Sequence, residues 1–131
     1  MSLSQVIIPC ISVNEGSQSI FTEVQHQLTS RGDLWISEQQ DSVNFRYRKS
    51  PNRYESDWHV AGDPTLIIIC TGCLQIELRD GTFKQFSAGE RFIAADFIPS
   101  NTPFDNTQHG HRAKVIGNIE LSAIHIKLSK R

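Results

Sequence analysis

The segment Gln108-His109-Gly110-His111 sets two imidazoles one residue apart. In an extended strand, residues i and i+2 project to the same face about 6.5 Å apart, so the two rings are spaced as two arms on one metal ion. The competing reading is a polar loop entering a strand, with His109 facing water. His26 and His125 have no partner at ligand spacing and read as structural or surface residues. Cys70 and Cys73 form a Cys-x-x-Cys pair, but the second pair of a zinc ribbon is missing. The pair also interrupts a strand pattern, whereas a redox pair sits at a helix N-terminus that lowers the thiol pKa. With Cys10 the cysteines number three, an odd set that is no disulfide framework, and they read as reduced structural residues. The chain has no Gly-x-Ser-x-Gly elbow, no phosphate-binding glycine loop and no His-Glu-x-x-His.

The elements that must position the histidines are strands. Val43, Phe45 and Tyr47 alternate with Asn44, Arg46 and Arg48, and Leu74, Ile76 and Leu78 alternate with Gln75, Glu77 and Arg79. Such alternation describes a sheet with one face buried and one wet. Asp80-Gly81 is a tight-turn signal that closes a hairpin. Residues 65–70 are apolar in succession, as expected of a strand covered on both faces. Strands are predicted at 43–48, 65–70, 73–79, 82–86, 91–95, 112–116 and 119–128. The apolar phase of the last one changes near Ala123, which calls for a bulge or burial on both faces. Residues 19–28 suit a helix or a strand, and strand is preferred. The polar stretches 38–42, 49–57 and 99–110 read as loops. The pattern is that of one all-β domain over residues 1–131, with an N-terminal strand segment at 1–40 and a barrel core at 43–128.

A chain of 131 residues with net charge -1 has no field for nucleic acid or an anionic membrane. The first residues lack a basic start and a long apolar run, so a cytoplasmic protein is expected. Residues 6–13 and 66–70 carry more apolar surface than one small barrel needs, and a homodimer is expected.

Residues 57–96, followed by 109–117, resemble a small single-domain cupin of the RmlC-like kind. The resemblance covers roughly residues 43–128 and implies a double-stranded β-helix, or jelly-roll barrel, with a ligand or metal pocket inside. His59 stands 13 residues before Gly72, the distance expected from the first histidine of the first cupin motif to its glycine. His111, where a Gly-His pair opens a strand, matches the histidine of the second motif. The departures are equally specific. Ala61 stands in the slot of the second histidine and Thr65 in that of the glutamate, and the second motif is stretched before His111.

The resemblance therefore places His59 and His111 in the pocket. A divalent catalytic metal generally takes three protein ligands and an open position. A metal set of His59, His109 and His111 follows if His109 lies on the strand with His111. Zinc, nickel, iron and copper all accept imidazole, so the ion is not selected, and without a carboxylate its binding should be weak or partial. Asp96 reads as a pocket acid, a carboxylate behind a ligand, or a turn residue. Arg46, Arg48, Tyr47 and Trp58 would flank the pocket entrance, or else lie on a solvated strand face. Two functions remain open: a small-molecule-binding protein, and a metal-dependent oxygenase or isomerase acting on a small organic acid or sugar-like substrate.

Overall fold

The computed structural model describes residues 3–129, so the extreme ends of the expected domain, residues 1–2 and 130–131, lie outside the described residues. The described chain is all-β. In order it forms β1 (Gln5–Val13), β2 (Ser19–Gln27), β3 (Thr29–Arg31), β4 (Leu34–Ile36), β5 (Ser42–Ser50) and β6 (Thr65–Thr71). There follow β7 (Cys73–Glu77), β8 (Phe83–Ser87), β9 (Arg91–Ala94), β10 (Arg112–Ile116) and β11 (Leu121–Leu128). One sheet has the order β2-β1-β9-β6-β11-β5 and the other β10-β7-β8, with β3-β4 as a separate hairpin. Among the described residues no helix is long and apolar enough to cross a membrane.

Each expected strand from 43 to 128 is present, with ends differing by at most two residues. Residues 19–27 are a strand, paired antiparallel to β1 along its full length. The β3-β4 hairpin was not expected; its three-residue strands are too short to show a period.

The two larger sheets face each other as a jelly roll. Between them Ile11, Ile67, Ile69, Phe92, Leu121 and Ala123 of the large sheet meet Leu74, Ile76, Phe86 and Val115 of the small one. The small sheet keeps the wet outer face that its alternation implies. In the large sheet both faces are apolar, because Ile8, Cys10, Ile93 and Ala95 form a second buried cluster on the outside, joined by Val6, Val24, Leu66 and Leu128. This double burial explains the unbroken apolar run of β6.

The same arrangement resolves β11. Its register against β6 shifts between Ser122 and Ala123, and its residues then alternate between the core and the apolar outer face. Bulge and two-sided burial occur together.

At β5 the expected polarity is inverted. Val43, Phe45 and Tyr47 are 64%, 61% and 76% exposed on the outer face. Arg46 and Arg48, on the other face of this edge strand, turn toward cavities at the end of the barrel. Alternation gives the two faces of a strand but not which one is buried, and here the arginine face is the inner one.

Gly72 makes the corner at which the chain leaves the large sheet for the small one. Its φ is +86°, and a Cβ there would lie 2.8 Å from the Glu120 carbonyl oxygen, so a side chain has neither the conformation nor the room. Cys70 and Cys73 flank this corner, and both are free thiols, as expected.

Candidate functional site

His111 ends the stretch leading into β10, and residues 54–59 run antiparallel along the free edge of that strand. Val115 N–H donates to the Tyr54 carbonyl, and Ser56 N–H donates to the Ala113 carbonyl. His59 and His111 then exchange backbone hydrogen bonds of 3.0 and 2.9 Å. Two histidines 52 positions apart in sequence thus become direct neighbours, with ring centroids 4.5 Å apart. His111 shares its parity with Ala113 and Val115, whose side chains face the core.

Both rings are held through Nδ1. The His111 Nδ1 lies 2.7 Å from Asp96 Oδ2. The same carboxylate accepts from Ser19 Oγ at 2.6 Å and from the Ala61 N–H at 3.0 Å. Asp96 is completely buried. Burial alone would raise its pKa, but the hydrogen bond and charge of His111, with those from Ser19 and Ala61, outweigh it and hold the carboxyl below its usual range. The His59 Nδ1 lies 2.8 Å from the Asp57 carbonyl oxygen. A carbonyl only accepts, so this nitrogen carries the proton. Burial lowers the His59 pKa more than the Asp57 carbonyl raises it, leaving His59 neutral at pH 7 with a lone pair on Nε2.

The rings line a cavity of about 70 Å³ whose polar wall includes Arg48, Tyr54, Ser56 and His125. Its apolar wall is Ile67, Leu74, Ile76 and Phe92. His125 also lines an adjoining polar recess with Asn44, Arg46, Asp63, Thr65 and Lys127. Burial first, then Arg48 and Arg46, push the His125 pKa down to about 4.

His109 does not join this pair. Gly110, at φ +88°, breaks the two-residue repeat of a strand, and a Cβ there would lie 2.6 Å from the His59 carbonyl oxygen. The His109 Nδ1 instead accepts the Asp105 N–H at 2.9 Å, and its ring lies 5.9 Å from that of Phe104. Its carbonyl is gripped by the Arg79 guanidinium at 3.1 and 2.9 Å. The three-histidine set is therefore corrected to a pair, His59 and His111. Ala61 lends only its backbone N–H, to Asp96, and Thr65 lies in the outer recess. Among the described residues no three His, Cys, Asp or Glu side chains are grouped to hold a metal ion. The donors present do not fit a three-ligand metal centre.

The remaining expected pocket residues divide. Asp96 stands behind His111 and Arg46 lines the recess. Tyr47 points outward, and Trp58 packs under the guanidiniums of Arg79 and Arg112, 3.9 and 4.8 Å from its ring centroid. Tyr54, Ser56 and His125 were missed. His125 has the parity of Leu121 and Ala123, both in the core, a signal hidden by the apolar residues between them.

No family model matches the chain, and no curated protein matches it. Among solved structures it is similar to a cupin-2 domain protein from Shewanella frigidimarina, at 23% identity and a TM-score of 0.47, covering 72% of this chain and 76% of that one. It is also similar to a cupin domain from Bordetella pertussis (15% identity, TM-score 0.47, covering 70% and 85%). A third is the Cnp3 cupin domain of Schizosaccharomyces pombe (14% identity, TM-score 0.45, covering 96% and 85%). The likeness concerns fold alone, and no activity comes with it.

The depressed pKa of His125 has a measurable consequence. Unfolding restores its value to near 6.5, so the unfolded chain takes up a proton first as pH falls. The associated stability is complete above pH 6.5 and is lost progressively toward pH 4. Between pH 7 and 4.5, denaturant unfolding should show the His125→Gln variant losing measurably less stability than the parent protein, by less than the full shift implies because solvent screens a partly exposed ring. Equal losses in the two proteins would contradict the assignment.

Proposed function

We propose that this chain binds a small molecule in the cavity lined by His59 and His111. The observation that carries the reading is the fixing of both rings through Nδ1, by Asp57 and by Asp96. Each Nε2 is thereby left for a ligand, and that of His59 is a hydrogen-bond acceptor at neutral pH. Tyr54 and Ser56 lie in the same wall, with the Ser56 hydroxyl held between the Asp57 carbonyl and the Ala113 N–H. Such a site suits a ligand bearing a hydroxyl or amine beside a short apolar portion. A metal-dependent oxygenase or isomerase would need a third protein donor, and nothing in the donor set favours that reading. The three cysteines form no disulfide among the described residues, which suits the cytoplasmic location we propose.

Tag-free protein is expected to carry well under one equivalent of transition metal. Ligands found by a thermal-shift screen of small hydroxy acids and sugars should bind equally well after chelation, and should be lost in His59→Ala. One tightly held equivalent of metal, with binding abolished by chelation, would replace this reading with the metal-dependent one.

We further propose that two copies pair through the outer face of the large sheet. Val43, Phe45 and Tyr47 are exposed at one edge of that sheet, and toward its other edge lies an apolar groove of about 480 Å³ lined by Val6, Ile8, Cys10, Val24 and Leu66. Apolar surface on this scale marks an interaction site. Light scattering at micromolar concentration should give a dimer mass for the parent chain and a monomer mass for Phe45→Glu. A parent protein that is monomeric across that range would refute the pairing.

A further inference from the structure

The polar recess beside the histidine cavity has a composition that small-molecule binding by the histidine pair does not require. Three adjacent strands build its wall in successive rungs. Arg48 lies opposite Ala123, Arg46 opposite His125 and Asn44 opposite Lys127, while Lys127 in turn lies opposite Thr65. Arg46 and Arg48 are two positions apart on one strand, so their side chains leave the same face about 6.5–7 Å apart. His125 sits between the two cavities and lines both.

The charge is lopsided. Arg46 and Lys127 line the recess, Arg48 lines the joined cavity, and the one carboxylate in the recess wall is that of Asp63. Among the described residues the ion pairs of the chain involve neither arginine nor Lys127. Two other guanidiniums, by contrast, are committed: Arg112 is hydrogen-bonded to Glu77 at 2.6 Å, and Arg79 holds the loop carbonyls of Asn106 and His109. Both arginines remain solvent-exposed on the concave face of a strand whose apolar residues face out, so their guanidiniums are accessible to an anion there. Guanidinium forks match carboxylate and phosphate oxygens in geometry and charge.

We propose that Arg46 and Arg48, with Lys127 and Thr65, form an oxyanion-binding subsite at the mouth of the barrel, so that the ligand is the anion of a small organic acid. This rests on the reading of the His59–His111 cavity as a ligand site, and it orients the ligand. The carboxylate or phosphate lies at the arginines, and the short body extends past His125 into the cavity of about 70 Å³. That volume limits the buried part to a few non-hydrogen atoms, since a water molecule alone takes about 30 Å³ of liquid. The bulk of a larger ligand would stay in the recess.

The test is calorimetric titration of tag-free protein, at low ionic strength, with succinate, inorganic phosphate and the neutral succinamide. Succinate or phosphate should bind and succinamide should not, with the tighter of the two anions identifying the oxyanion. Arg46→Gln and Arg48→Gln should each weaken binding by about tenfold or more, as expected for loss of a charge-assisted hydrogen bond. Lys49→Gln removes the same charge from the outer face of the same strand and should leave binding unchanged. Both arginines lie on an exposed edge strand, and unaltered melting temperatures without ligand will show that the variants are folded.

Failure of both anions to bind, binding that survives in both arginine variants, or equal weakening by Lys49→Gln would overturn the subsite. The His59→Ala variant separates the two readings. Arginine-dependent anion binding that ignores His59→Ala keeps the subsite and removes the shared cavity. Neutral ligands that depend on His59, with no anion bound, keep the cavity and remove the subsite.

Discussion

A carboxylate shut away from water has to be matched oxygen by oxygen, and Asp96 is the point at which this barrel meets that demand. Its oxygens take the His111 ring, the Ser19 hydroxyl and the Ala61 N–H, and its backbone carbonyl takes the Gly62 N–H. These partners come from the start of β2, the turn after His59 and the entry to β10, three regions remote in sequence. Leaving such a charge unpartnered costs about 3–5 kcal/mol, so its partners are held in place as firmly as a core side chain. The His59–His111 pair follows from this. His111 is anchored by Asp96, and His59 is brought against it by the backbone exchange that Gly110 makes room for.

The second constraint is the way β5 lies. With its apolar residues outside and its arginines inside, this strand exchanges an ordinary buried edge for a charged concave wall and an uncovered apolar face. The two consequences fall on opposite sides of one strand and call for different partners: an anion within, a protein surface without. The large sheet can sustain this because its core is already complete without β5, in the cluster built around Ile11, Ile69 and Phe92.

The strands of the core were legible because their signals are local. Leu74, Ile76 and Leu78 alternate, Asp80-Gly81 turns, and the chain pairs back upon itself within a few residues. The pairing of His59 with His111 was reachable only through the resemblance to cupin motifs, since no local pattern links residues so far apart. Spacing misled at His109. The two-residue repeat assumes a continuous strand, and Gly110 in the left-handed region ends that assumption. Alternation likewise could not say which face of β5 is inside, because that depends on strands added later in the chain. Asp96 was visible as a residue at the end of an apolar run, but its partners Ser19 and Ala61 carry no signature in a sequence.

The central claim is that both imidazoles are locked through Nδ1, and nitrogen-15 NMR of the ring nitrogens tests it most directly. In tag-free protein at neutral pH, the Nδ1 of His59 and of His111 should each carry a proton, and the Nε2 of His59 should be bare. A bare Nδ1 on His111 would mean that the ring does not donate to Asp96, and a bare Nδ1 on His59 that it does not donate to the Asp57 carbonyl. Either result would contradict the account of the site.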